Sequence, residues 1–152
     1  MTTDLADREL IVQREVPFAR ELVWKAMTLP EHLDRWWGPD GFHNEAGTMD
    51  FRVGGTWKFV MVGPDGTRYP NQSVFREITP PSRLVFGHGD GERVYFEATV
   101  TLQETAGGTL ITLRQLHPSR EQRDELIAKH GALEGARQHL AKLEAHLAAT
   151  AP

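Results

Sequence analysis

Residues 119–148, SREQRDELIAKHGALEGARQHLAKLEAHLA, are the one stretch long and periodic enough to cover a whole sheet. Ser119 and Gln122 stand at the spacing of a capping box, Glu121 places a negative charge in the first turn, and no proline recurs before Pro152. The stretch therefore predicts a long C-terminal helix. Leu126, Leu133, Leu140 and Leu147 recur every seven residues, with Ile127, Ala136 and Leu143 beside them, so one apolar stripe needs a partner. Glu125, Lys129, Glu134, Lys142 and Glu144 fall on the other side, expected in water. Gly131 and Gly135 each cost about 1 kcal/mol against alanine inside a helix. Either the helix bends or divides there, or its backbone comes close to a sheet or a ligand.

The apolar face that the stripe would cover is written in residues 42–117. Strands are predicted over 42–52, 56–62, 73–78, 83–87, 94–103 and 109–117, separated by Gly54-Gly55, Gly63-Pro64-Asp65-Gly66, Pro80-Pro81, Gly89-Asp90-Gly91 and Gly107-Gly108. Breaks this short make neighbouring strands antiparallel. Trp57, Phe59 and Met61 alternate with Lys58 and Val60, and Val94, Phe96, Ala98, Val100 and Leu102 alternate with a mostly polar set. A further strand is expected over 9–16, stopped by Pro17. Two short helices follow it, one from Ala19 with Leu22, Val23, Ala26 and Met27 inward, one opened by a Thr28/Glu31 capping box around Pro30 and closed at Gly38-Pro39. The class is α+β: an antiparallel sheet of about six or seven strands with one apolar face, covered by the C-terminal helix. One domain over 8–148 is expected, with 1–7 and 149–152 as flexible ends.

The totals exclude several kinds of function. In 152 residues the formal net charge is -4, and no run of lysine and arginine offers a surface to nucleic acid. Without cysteine there is no disulfide, thiolate nucleophile or cysteine metal site, which suits a reducing, cytoplasmic setting. No apolar run approaches the ~20 residues of a membrane span, and the N-terminus lacks the pattern of a signal peptide. His32, His43, His88, His117, His130, His139 and His146 show no metal-ligand spacing, so no metal or cofactor is expected. His139 and His146 are expected on the flank of the leucine stripe.

The local text also carries a resemblance. Pro17-Phe18-Ala19, Leu22-Val23-Trp24-Lys25-Ala26, Pro30-Glu31-His32-Leu33 and Trp36-Trp37-Gly38-Pro39 are followed in order by Asp50-Phe51-Arg52-Val53-Gly54-Gly55-Thr56-Trp57, Pro64-Asp65-Gly66, Glu77-Ile78-Thr79-Pro80-Pro81-Ser82-Arg83-Leu84-Val85-Phe86 and Gly107-Gly108-Thr109. These blocks, spread over most of 8–148, resemble the activator of heat-shock-protein-ninety ATPase homologue-like family of the SRPBCC superfamily, which includes START and birch-pollen-allergen domains. The resemblance implies a helix-grip fold, a curved sheet wrapped on the long C-terminal helix, with a cavity between them. Chaperone-activating members carry an additional N-terminal domain for which this sequence leaves no room, so a chaperone partner is the less favoured expectation.

Candidate ligand-binding residues follow from the inward phase of the strands. Trp57, Phe59, Met61, Phe75, Phe86 and Phe96 would make an aromatic, adaptable lining for a lipid- or polyketide-like molecule; the plain alternative is that they fill a core. Adjacent Trp36 and Trp37 point about 100° apart on a helix, and Trp36 is the one expected at the mouth. Gln115 and His117 continue the phase of Ile111 and Leu113 and would supply polar contacts, unless the strand simply reaches solvent there. The leading expectation is binding of a small hydrophobic or aromatic molecule. A cyclase- or aromatase-type enzyme with His117 as its titratable group, and a protein-interaction module or homodimer using a sheet edge or the tryptophan region, are the alternatives.

Overall fold

The computed structural model describes residues 5–150. After a 3-10 turn at Leu5–Arg8, the elements run β1 (Glu9–Val16), α1 (Arg20–Thr28), α2 (Pro30–Trp36), β2 (His43–Met49), β3 (Thr56–Val62), β4 (Arg68–Thr79), β5 (Arg83–Gly89), β6 (Val94–Thr105), β7 (Gly108–Leu116), α3 (Arg120–His130) and α4 (Ala132–Thr150). The described elements begin at Leu5 and end at Thr150, and residues 1–4 and 151–152 of the expected flexible ends lie outside the described residues. The strands form one antiparallel sheet in the order β1-β7-β6-β5-β4-β3-β2, a meander closed at one side by β1. This is the α+β helix-grip arrangement: the sheet curls around α4, and α1 and α2 fill the space beside it.

The predicted single helix is two. Gly131 adopts φ 61, a left-handed conformation that L side chains rarely enter, and its N–H bonds Leu126 O as a C-cap before α4 begins. Ser119 caps α3 as expected, its hydroxyl accepting from Gln122 N at 3.1 Å. The expected Thr28 cap of α2 is not made. Leu29 occupies the N-cap with no side-chain bond, and the Thr28 hydroxyl instead donates to Trp24 O at 2.7 Å within α1. Pro30 still opens α2, its fixed φ suiting the first helical position.

β4 begins earlier than predicted because Pro70 sits where β5 no longer pairs with it. Its missing N–H is not needed on that side, while Val60 of β3 still lies opposite. The stripe of α4 is buried through Ala136, Leu140, Leu143 and Leu147, which join the core shared with the inner face of the sheet, where α4 lies beside β1. The other face of α4 is less wet than expected: Glu144 is paired with Arg14 on β1, and Lys142 is half-buried. Among the described residues, no helix is long and apolar enough to cross a membrane.

Candidate functional site

The sheet presents two rows of side chains toward the helices. Ladder register sets Phe75 beside Phe86, Phe86 beside Ala98 and Ala98 beside Gln115. In the next row Ser73 stands opposite His88 and His88 opposite Phe96, whose ring meets that of His117 at 5.1 Å. The alternation that buries Leu113 and Ala98 therefore also carries Gln115 and His88 toward the same interior.

The facing wall comes from α4 and from the loop that leaves α2. Three side chains of α4 hold that loop by its backbone: Gln138 Oε1 accepts from Asp40 N at 3.1 Å, His139 Nδ1 accepts from Gly38 N at 3.1 Å, and Lys142 Nζ donates to Pro39 O and Phe42 O at 3.1 and 3.3 Å. Gly38 turns the chain at φ 97, and a Cβ there would come within 2.8 Å of Met61 Cε. The loop thus fixes Trp37 edge-on to Trp57 (ring centroids 4.8 Å apart) and to His139 (4.5 Å).

Between the two walls lies a cavity of about 240 Å³ that opens to solvent. Sheet and loop contribute Trp37, Met61, Phe86, His88, Phe96 and Gln115, while α3 and α4 contribute Gly131, Ala132, Gly135, Ala136 and His139. One wall is largely aromatic, and the other is mostly small residues, with the His139 ring and Leu126 among them. A Cβ on Gly135 would meet only Pro39 Cβ, at 3.8 Å, so this glycine leaves room rather than avoiding a clash. Of the two expectations for these glycines, division of the helix is met at Gly131; at Gly135 no sheet backbone comes close, and the residue leaves space beside the cavity instead. Behind Trp37 a second, deeper void of about 20 Å³ is lined by Trp57, Phe75, Leu84 and Val100 among others, room for one water in a lining almost wholly apolar. Two surface grooves, one reaching Tyr69 and Asp90 and the other Arg93 and Glu125, share Met61, His88 and Phe96 with the cavity.

The predicted site residues separate into three groups. Met61, Phe86, Phe96 and Gln115 line the main cavity, and Trp57 and Phe75 line the deep void. Phe59 is 3% exposed and stacks on Trp57 at 3.9 Å as part of the core. Trp36 and Trp37 exchange the expected roles. Trp36 is 1% exposed, with its indole N–H bonded to Ala26 O at 2.8 Å, and it is Trp37, the α2 C-cap, that faces the cavity. His117 is 1% exposed behind Phe96, lines none of these cavities, and has no protein partner at either ring nitrogen among the described residues.

Trp37, His88 and His139 are the lining residues that the pattern of the sequence missed. His139 follows the leucine spacing closely enough to be placed on the flank, yet it sits between the two tryptophan rings. The signal available was the alternation in Phe86-Gly87-His88, which repeats the inward phase of β5. Burial holds both imidazoles neutral, His88 down at about 4 and His139 down at about 3, the latter also through the positive charge of nearby Lys142. His146 is separate from the cavity. It is buried, its Nε2 lies 2.7 Å from Nδ1 of His32 on α2, and burial together with His32 and Arg35 lowers its affinity for a proton. Among the described residues no group of acidic, histidine or cysteine side chains is placed to hold a metal ion.

None of the residues lining the main cavity is Asp, Glu, Lys or Arg. The charged side chains of the neighbouring strands pair on the outer face of the sheet, as Arg114–Glu9 at 2.8 Å and Arg76–Glu97 at 3.4 Å. What the interior can do chemically is enclose an apolar body and offer it a few uncharged hydrogen-bonding groups.

Known proteins share this architecture. A protein of solved structure from Nitrosomonas europaea is 31% identical, with a TM-score of 0.87, covering 95% of this chain and 96% of that one. One from Arthrobacter aurescens is 29% identical with a TM-score of 0.86, covering 99% and 91%. The AHSA1-like protein from Aeromonas hydrophila, at 22% identity, a TM-score of 0.76 and coverage of 93% and 92%, has the same fold. No curated protein matches the chain. The family model described as activator of Hsp90 ATPase homolog 1-like protein matches residues 17–148, so the chain belongs to that family.

Proposed function

We propose that this protein binds a small, uncharged and largely apolar molecule, aromatic by preference, in the cavity between the sheet and the C-terminal helices. The observation that carries the reading is the opposition of the two walls, Trp37, Phe86 and Phe96 on one side and Gly135, Ala132 and Ala136 on the other, with a cavity of about 240 Å³ between them. A core would fill that space, since interiors pack to crystal-like density. Aromatic rings against small residues suit a flat guest. The uncharged probe N-phenyl-1-naphthylamine is expected to bind at one saturable site with enhanced, blue-shifted emission. Absence of saturable uptake would count against the reading.

A cyclase- or aromatase-type enzyme is the second reading, favoured by the two neutral imidazoles that line the same cavity. Its signature is loss of turnover in His88→Phe with ligand affinity retained. Loss of affinity and turnover together would leave binding as the role of that residue.

A further inference from the structure

The tautomer of His139 is set by its surroundings. Gly38 N–H points at Nδ1 from 3.1 Å, and an N–H can only donate, so Nδ1 is the accepting nitrogen and the ring proton sits on Nε2. A second proton, on Nδ1, would point at the Gly38 N–H, donor against donor. Gly38 cannot easily turn away, because its φ of 97 and the contact a Cβ would make with Met61 define the loop, and Pro39 O and Phe42 O are held by Lys142. Nε2–H has no acceptor among the described residues, although the ring lines the cavity. A donor that opens into a largely apolar cavity is satisfied by water until a guest with an acceptor takes that place.

The other polar groups narrow the occupant further. His88 is engaged at Nδ1 only by the Ser73 hydroxyl, at 3.4 Å, and Gln115 is an amide. With no cationic or anionic side chain in the lining, a carboxylate or an ammonium group would enter without a counter-charge, which is costly in such surroundings. The Lys142 amine that lies nearby is committed to two backbone carbonyls.

We infer that His139 is a specificity residue whose Nε2–H receives the carbonyl oxygen of an uncharged aromatic ketone or quinone bound in this cavity. The inference rests on the binding reading above and names the class of ligand. It is tested by titrating the protein calorimetrically with naphthalene, 2-acetonaphthone and 2-naphthoate, which share one ring system. Wild type is expected to bind the ketone at least tenfold tighter than naphthalene, and the carboxylate more weakly than either. In His139→Asn, whose side-chain oxygen can still accept from Gly38 N–H but cannot reach as the imidazole Nε2 does, the ratio of ketone to naphthalene affinity is expected to collapse toward one, whatever the loss of the ring does to naphthalene affinity itself. If naphthalene binds and the ketone binds no better, or the carboxylate binds as well as the ketone, this inference is overturned while the binding reading stands. If no member of the set binds wild type, both fall. The wild-type comparison decides the matter even where the variant folds poorly.

Discussion

Gly135 gives the sharpest test of why α4 tolerates a poor helix former beside the cavity. Its backbone is ordinary helix, outside the left-handed region that Gly131 requires, and its N–H bonds Gly131 O at 2.8 Å. An added Cβ meets only Pro39 Cβ at 3.8 Å, normal van der Waals contact. Gly135→Ala therefore gains the full propensity difference of about 1 kcal/mol with no steric penalty. For a chain of this size that corresponds to a rise of about 2–4 °C in Tm by calorimetry. Gly135→Phe places a ring in the space that the guest would take. It is expected to fold with near-native stability and to lose at least tenfold in affinity for N-phenyl-1-naphthylamine. Destabilisation by Gly135→Ala would show that the glycine serves the backbone, not the cavity. Unchanged probe binding in a folded Gly135→Phe would refute the location of the site.

The two tryptophans should behave differently. Trp36→Ala removes a fully buried ring and its bond to Ala26 O, and is expected to cost about 3–5 kcal/mol in urea unfolding, whereas Trp37→Ala, which joins the deep void to the main cavity, costs distinctly less and alters probe affinity. Equal costs would contradict the assignment of roles. Ser119→Ala removes the N-cap of α3 and is expected to lower stability by about 1 kcal/mol, with Ser119→Asp close to wild type. Acid should destabilise the fold early. The unfolded chain protonates His88 and His139 near the ordinary value of 6.5, while in the folded state they resist down to about 4 and about 3. Stability is thus fully present above 6.5 and is lost as pH falls toward those values, each histidine contributing a slope of up to about 1.4 kcal/mol per pH unit. Urea midpoints measured between neutral pH and the low fours should fall steadily, less steeply in His88→Phe. A flat profile would mean that the imidazoles are not held neutral.

The sheet was legible because strands with one wet and one dry face alternate every second residue, and because glycine and proline mark each reversal between β2 and β7. Helix division was legible only as a cost, since Gly131 and Gly135 look alike in sequence and differ in whether the backbone turns left-handed. The site was harder to read. Met61, Phe86, Phe96 and Gln115 come from strand phase, which fixes direction, but depth is set by curvature, and curvature leaves Phe59 packed and His117 behind Phe96. Trp37 depends on where α2 stops. Helix phase separates the pair by direction alone, and only the bonds from Gln138, His139 and Lys142 to the loop show which tryptophan is turned inward. Those bonds join residues about a hundred positions apart, beyond the reach of any local pattern.

Native mass spectrometry of the wild-type protein and Gly135→Phe, each incubated with N-phenyl-1-naphthylamine, tests the central claim most directly. One bound probe per chain in wild type, absent in the folded variant, is the predicted result. Equal loading of both, or an empty wild type, would contradict a ligand site between the sheet and the C-terminal helices.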